Sequence, residues 1–322
     1  MATAAPTSAP GAPGAPGPAG APGPAASAGP AQQRIHRPAA HALRERLAHI
    51  LFALAACVSI IAVALICFFL LVNGIPAFAK IGPAEFLLGT RWLPSNGEYG
   101  ILYMIIGSLY VTAGALLIGV PFGLLSALYL SRFASKRIVK LLTPGVELLA
   151  GIPSVVYGFF GLVVLVPFIR NFFGGAGLSI LAAALVLGIM ILPTIITVSK
   201  AALDAVPHSY YQGALALGAT HERSIFRVIM PAATSGITAA VILGIGRAIG
   251  ETMAVVMVVG NQVRLPAAIT DGIRTLTGNI VLEMGYAADL HREALIATAV
   301  VLFVFILIIN LLFSLLKKRA KQ

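Results

Sequence analysis

Arg247 and Glu251 are the residues of this chain whose types and spacing could do chemistry. They lie in GITAAVILGIGRAIGETMAVVMVVG (236–260), an apolar stretch carrying two opposite charges four residues apart. A charge near the bilayer centre costs roughly 2.5–3.5 kcal/mol on insertion scales, so such residues persist where they pair, face a protein interior or touch a substrate. A guanidinium fork matches a tetrahedral oxyanion and cannot be discharged. A carboxylate beside it keeps the anion from being trapped, because conduction needs a site weak enough to release. On one continuous helix the two side chains share a face, and Gly246 and Gly250 leave room beside them for a neighbouring helix. The residues alone leave two readings open: contact with a passing anion, or a self-satisfied salt bridge that only orients the span.

The elements that must hold this pair are spans. Of 322 residues, 59% are hydrophobic and 10% charged, too oily for a water-soluble domain. Six apolar runs reach the length of about 20 residues that hydrocarbon demands: 49–73, 103–130, 144–169, 178–200, 235–260 and 294–316. The formal net charge of +11 would suit a polyanion partner, but its distribution is a topology signal. With the N-terminus inside, the inner segments hold Arg34, Arg37, Arg44, Arg46, Arg132, Lys136, Arg137, Lys140, Lys200, Arg223, Arg227, Lys317, Lys318, Arg319 and Lys321. The outer segments hold Lys80, Arg91, Arg170, Arg264, Arg274 and Arg292, mixed with acids. The positive-inside rule then places both termini in the cytoplasm. The expected class is an all-α integral membrane protein with six transmembrane helices.

Several chemistries are excluded or unsupported. No G-x-x-x-x-G-K-[ST] occurs, so the chain cannot bind ATP by a P-loop. GIGRAIG (244–250) has the wrong spacing for a dinucleotide loop and no strand before it. The six histidines form no ligand-spaced cluster, and no cofactor is called for. Cys57 and Cys67 are ten residues apart in one span, about 15 Å along a helix and too far to bridge.

Along the chain, residues 1–31 are almost only Ala, Pro, Gly and Ser, with glycines at 11, 14, 17, 20 and 23. Five repeats are too few for collagen, and a disordered cytoplasmic tail over 1–45 is expected, ahead of a transmembrane domain over 46–320. In the outer segment 74–102, Trp92 and Tyr99, with Tyr103 just beyond it, suit the headgroup zone. Span two carries Ala115, Gly119, Gly123 and Ala127 at four-residue spacing, a stripe that admits a close helix. Pro121 and Pro193 are candidate bends. The basic loop 131–142 reads as surface-lying. Span three is interrupted by Pro153, and Glu147 sits near its cytoplasmic end as an interfacial charge or a pathway residue. Arg264, Arg274 and Arg292 either meet an anionic ligand or carrier or are solvated loop charges. Asn261 and Gln262, at the outer end of span five, are candidate pathway-lining residues.

Between spans four and five lies VPHSYYQGALALGATHERSIFRVIMPAATSG. Ser209 and Gln212 form a capping-box pattern that predicts a helix from Tyr210. Gly218 can end it in a left-handed cap. Thr220 then caps a second helix, with Glu222 favourable in its first turn and Pro231 limiting its far end. QGALALGATHERSIFRVIMP resembles the EAA loop of ABC-importer permeases. In that pattern a glycine follows the glutamate by six residues, with Ile and Pro eleven and thirteen further on. Gly218, Ile229 and Pro231 match, and Ala214 matches the second alanine; Gln212 replaces the glutamate and Gly213 the first alanine. The resemblance implies a coupling loop over 207–231 that docks a separate ATPase subunit through residues 210–220, with Gln212, Gly213, Ala214, Gly218 and Ala219 at the contact.

FLLGTRWLP, GIPSVVYGFFGLVVLVP, GRAIGETMAVVMVVGN and TLTGNIVLEMGYAADLHREAL further resemble the permeases of the bacterial phosphate-specific ABC importer, the first favouring the C-type subunit over its A-type paralogue. That resemblance implies a type I ABC importer permease in the inner membrane. It would work as a heterodimer with the A-type permease, with an ATP-binding subunit dimer and a periplasmic phosphate-binding protein, inorganic phosphate being the substrate. It also assigns Arg247 and Glu251 to the pathway. A carboxylate acceptor there would favour phosphate, which keeps a proton near neutral pH, over sulfate, which keeps none. The alternatives are a permease for molybdate or sulfate, or a stand-alone secondary transporter, against which the lack of evident inverted repeats counts.

Overall fold

The computed structural model describes the backbone of residues 39–319 and the side chains of 45–312 and Leu315. Residues 1–38, most of the expected tail, lie outside it, as do the side chains of Arg34, Arg37, Arg44, Lys317, Lys318, Arg319 and Lys321. The chain divides into two units, Met1–Ile60 and Ile61–Gln322. Helix α1 (Ala39–Ile81) starts inside the segment expected as tail and runs from the first unit into the second. In the first unit its residues 51–60 are all exposed. With every backbone donor and acceptor used internally, such an apolar helix suits hydrocarbon.

The second unit continues with α2 (Pro83–Leu88) and a two-stranded antiparallel hairpin, β1 (Trp92–Leu93) and β2 (Glu98–Tyr99), in which Trp92 faces Tyr99. Helix α3 (Leu102–Leu128) runs on through a π turn to Phe133, followed by α4 (Lys136–Gly151). Helices α5 (Ser154–Phe160) and α6 (Val166–Phe173) are joined by a second π turn into one span, and α7 (Ile180–Asp204) follows. The connector holds α8 (His208–Ala216), α9 (His221–Ser224), a third π turn (Ile225–Ile229) and α10 (Met230–Ala232). Then come α11 (Thr234–Gly250), α12 (Met253–Val258), α13 (Leu276–Glu283) and α14 (Asp289–Arg319). Among the described residues, five stretches are long and apolar enough to cross a membrane: Glu45–Ile81, Leu102–Phe133, Ser154–Phe173, Ile180–Asp204 and Asp289–Leu312. The pair His221–Ala232 and Thr234–Gly250, bent by 68°, makes six when counted as one span.

The small-residue stripe does what its spacing predicts. Ala115, Gly119, Gly123 and Ala127 are all buried, with Gly119 and Gly123 laid against α7. A Cβ on Gly119 would stand 2.6 Å from Ile191 Cδ1, and one on Gly123 2.7 Å from Ile195 Cγ2. This α3–α7 seam anchors the main core, to which Tyr157, Val166, Ala254, Val255 and Val258 bring α5, α6 and α12. A second cluster sits around the hairpin, with Phe86, Trp92, Tyr99, Met104, Leu276 and Leu295. A third, of Ala127, Leu203, Ile225, Ile229 and Ala233 with Tyr211 against it, lies under the connector.

Four expectations are corrected. Span three was expected over 144–169, but the amphipathic α4 runs through Gly151 and the span begins at Ser154. Pro153 has no N–H and forces Ile152 into extended backbone (φ −69°, ψ 128°). Glu147 therefore belongs to an exposed face of α4. Span five, expected as one helix over 235–260, is broken at Glu251 and Thr252. Trp92 and Tyr99 are 6% and 5% exposed, core residues and not headgroup anchors. Ser209 and Gln212 form no capping box: α8 starts at His208, directly after Pro207 (φ −53°), and no side chain caps it. The proline's fixed φ sets the start two residues early, leaving Ser209 within the first turn. Pro121 and Pro193 lie inside unbroken helices.

Candidate functional site

Arg247 sits near the end of α11, and that helix stops three residues later. Glu251 takes an extended conformation (φ −74°, ψ 129°), so the i, i+4 relation that would align the two charges no longer holds. Among the described residues the two make no ion pair. Glu251 is occupied elsewhere. Its Oε1 accepts the Ala254 N–H at 3.1 Å, satisfying one of the donors that a new helix start exposes. Its backbone carbonyl accepts the Thr277 hydroxyl at 3.4 Å. The salt-bridge reading gives way to a carboxylate capping a half-helix.

Arg247 is left with its charge unmatched. Its Nε is buried and makes no hydrogen bond, and the Tyr157 phenol lies near enough to feel its charge. Tyr157 is itself fixed, donating to the Leu149 carbonyl across the Ile152–Pro153 break at 2.8 Å. Beside Arg247, a Cβ on Gly246 or Gly250 would meet nothing within 4 Å, and Leu243 is exposed on the same stripe. Among the described residues, the room these glycines leave is thus not filled by another helix. An always-charged fork with unspent donors, next to an open helix face, is suited to hold an anion.

Half-helix α12 is clamped rather than loose. Gly158 of α5 lies so near that a Cβ would stand 2.8 Å from Met257 Sδ and 2.9 Å from Ala254 Cα; one on Gly161 would stand 2.9 Å from Val258 Cγ1. At its far end, Ser179 and Ile273 donate backbone N–H groups to Val258 and Val259 at 3.0 and 3.1 Å. Asn261, expected to line the pathway, adopts φ 51° and donates its Nδ2 to the Val256 carbonyl at 2.8 Å, closing the helix end. Gln262 next to it is exposed.

A second charged cluster was not foreseen. Glu283, 7% exposed, receives Arg274 Nη1 on Oε1 at 2.6 Å. Its Oε2 receives Trp92 Nε1 at 2.7 Å and pairs with His291 Nε2 at 2.9 Å. Arg274 is therefore neither a solvated loop charge nor a free anion binder. The usable signal was the one applied to Arg247: a lone acid inside an apolar run, here NIVLEMG.

At the connector, the left-handed cap forms as expected. Gly218 has φ 82°, its N–H bonds to Leu215 O at 2.9 Å, and Ala219 N–H bonds to Ala214 O at 3.1 Å. This is a Schellman motif. Thr220 accepts the Arg223 N–H at 3.3 Å. The Glu222 carboxyl is held below its usual range by its own backbone N–H and by the Thr220 hydroxyl. Gln212 and Gly213 are exposed while Ala214 is buried. Tyr211 Oη bonds to His221 Nδ1 at 2.8 Å, tying α8 to α9. Arg132 donates to Leu203 O and Ser131 to Asp204 at 2.5 Å, locking the ends of α3 and α7 beneath. Leu217, in the turn between α8 and α9, is 91% exposed.

Residues 119–322 match the family of binding-protein-dependent transport system inner membrane components. The chain belongs to that family. It is a multi-pass inner-membrane component whose relatives are ABC transporter permeases. It is 44% identical over 257 residues to the probable ABC transporter permease protein YqgH of Bacillus subtilis, covering 76% of this chain and 83% of that protein. It is 33% identical to the phosphate transport system permease protein PstC of Haemophilus influenzae, over 74% and 82% of the two chains. Among solved structures, a bacterial alginate ABC transporter in complex with an alginate-bound periplasmic protein superposes with TM-score 0.61 at 18% identity, over 85% of this chain and 96% of that one. That likeness shows the fold, that of type I ABC importer permeases.

Proposed function

We propose that this family member is a C-type permease subunit of an ATP-driven inorganic phosphate importer, contributing half of the pathway. The observation that carries the reading is Arg247: a buried guanidinium nitrogen with no hydrogen-bond partner among the described residues, beside a helix break and an open helix face. Relatives named as phosphate transport permeases support the choice of anion. Arg247 holds the phosphate. Glu251, with one oxygen committed to Ala254, offers the other to a protonated phosphate oxygen, which sulfate lacks. Asn261 serves the pathway by closing α12 and so setting where Glu251 sits.

The partners follow from the same reading. A paralogous A-type permease covers the open α11 face. An ATP-binding subunit dimer, which performs the hydrolysis, grips α8 through Gln212, Gly213 and the Gly218–Ala219 turn. A periplasmic phosphate-binding protein delivers the substrate at the hairpin end. The distribution of basic residues supports a cytoplasmic position for both termini.

The test is uptake by proteoliposomes holding the complete complex, with and without ATP, phosphate competing against sulfate. Arg247→Ala abolishes ATP-dependent phosphate uptake while the complex still assembles. Normal uptake by this variant would remove the pathway role. Preferential competition by sulfate would move the chain to another oxyanion, and uptake by the chain alone without ATP would make it a secondary transporter.

A further inference from the structure

An unbroken line of hydrogen bonds runs from the β hairpin to half-helix α12. Trp92 donates to Glu283, and Glu283 accepts Arg274 Nη1. Nη1 also reaches Asn279 Oδ1 at 3.0 Å, and Arg274 Nε donates to the backbone carbonyl of Asn261 at 3.1 Å. Asn261 closes α12 through Val256, and Glu251 opens it through Ala254. The helix between them is six residues, about 9 Å long, with no joint at which a movement could be absorbed.

We propose that Arg274 is a positioning residue for transport: through Asn261 it fixes the far end of α12, hence the Glu251 carboxylate at the near end, and through Glu283 it ties that position to the hairpin. The proposal rests on the reading of Arg247 and Glu251 as pathway residues. Neutralising buried Glu283 needs only a cation. Holding Glu283 and the Asn261 carbonyl together needs two donors in a fixed fork, which arginine has and lysine's single ammonium lacks. The turn being held is a conformationally costly one. Gly260 and Asn261 are consecutive left-handed residues (φ 84° and 51°), a conformation asparagine tolerates best when its side chain is bonded locally, as here to Val256. Movement at the hairpin, or at His291 in the first turn of α14, which pairs with Glu283, would reach Glu251 by this route.

Arg274→Lys separates the two roles. It keeps a cation for Glu283 and loses the bond to Asn261. In the complete complex in proteoliposomes, Arg274→Lys is expected to assemble and melt like the parent. Its maximal phosphate uptake should fall by about five- to a hundredfold, the range of a typical coupling between sites, with little change in KM. Met253→Cys, 49% exposed at the head of α12, in a background with Cys57→Ser and Cys67→Ser, reports the position of the break directly. Its labelling rate by a soluble thiol reagent should change when Arg274→Lys is added. Uptake and labelling both equal to the parent would overturn the proposal. Should Arg274→Lys fail to assemble, Glu283→Gln keeps shape and an acceptor but loosens the arginine. The same fall in uptake and change in labelling are then expected of it, and parent-like values of both would again overturn the proposal. Arg247→Ala measured alongside separates the levels. Inactive Arg247→Ala with parent-like Arg274→Lys discards only the positioning role, and active Arg247→Ala discards the pathway reading itself.

Discussion

Glu283 and Arg247 are both charges held inside an apolar bundle, and their surroundings differ in the respects that set the cost of burial. Glu283 meets a guanidinium, an indole N–H and an imidazole, so both oxygens are matched. Arg247 has a buried nitrogen with no partner and an open stripe of helix beside it. A matched buried charge is held by its neighbours and is expensive to dismantle. An unmatched one destabilises the resting protein and is retained where something outside the fold uses it. The difference separates structural from functional charge in this chain more sharply than depth in the membrane does.

Three measurements press on that contrast, beyond the uptake tests above. The largest effect is expected from Glu283→Ala, which strands Arg274 and the Trp92 N–H in a buried site. A loss of about 3–5 kcal/mol is expected, read as a clear fall in the melting temperature of the purified complex. A melting temperature near the parent's would mean the cluster is no more structural than the break. Next is Arg247→Met, which keeps the aliphatic stem and removes the unmatched nitrogen. Stability should stay within about 1 kcal/mol of the parent or rise, although transport is lost. A large destabilisation would show that Arg247 has a structural partner and would erase the contrast.

The smallest effect belongs to a third carboxylate, Asp271, half-buried in the loop before Arg274. Its carboxyl is held below the usual range by the Ala267 and Ala268 backbone N–H groups, with Arg264 a minor contributor. The sign follows: a depressed carboxylate stabilises above its unfolded pKa, and that contribution fades as pH falls through the folded value. Hydrogen exchange at Ala267 and Ala268 should therefore quicken below the ordinary carboxylate range, and Asp271→Asn should remove most of that pH dependence. A profile identical in the two proteins would dismiss the turn as a calibrating case.

Much of the scaffold was legible from local pattern. Ala115, Gly119, Gly123 and Ala127 announce a close helix because four-residue spacing puts them on one face, and Ile191 and Ile195 fill the groove. Gly218 announces its cap because a left-handed turn there costs other residues more. The capping box at Ser209 misled because Pro207 sets the helix start through its own fixed φ. Trp92 looked like an interfacial aromatic because its partner Glu283 lies 191 residues away. No window on the sequence contains both.

Composition, charge asymmetry and helical periodicity determined by themselves that this chain crosses a membrane as a bundle of apolar helices, and that Arg247 and Glu251 are the charges to explain. These are short-range properties, fixed by transfer free energy and by the 3.6-residue turn. Only the tertiary structure decided that the two charges are not paired. Breaking a helix inside an apolar bundle is tolerable when other elements satisfy the freed backbone groups. Here Glu251's own side chain and Thr277 of α13 do so, while Gly158 of α5 only packs against α12. That satisfaction depends on contacts between segments distant in the chain, and it frees Arg247 to face something that is not protein.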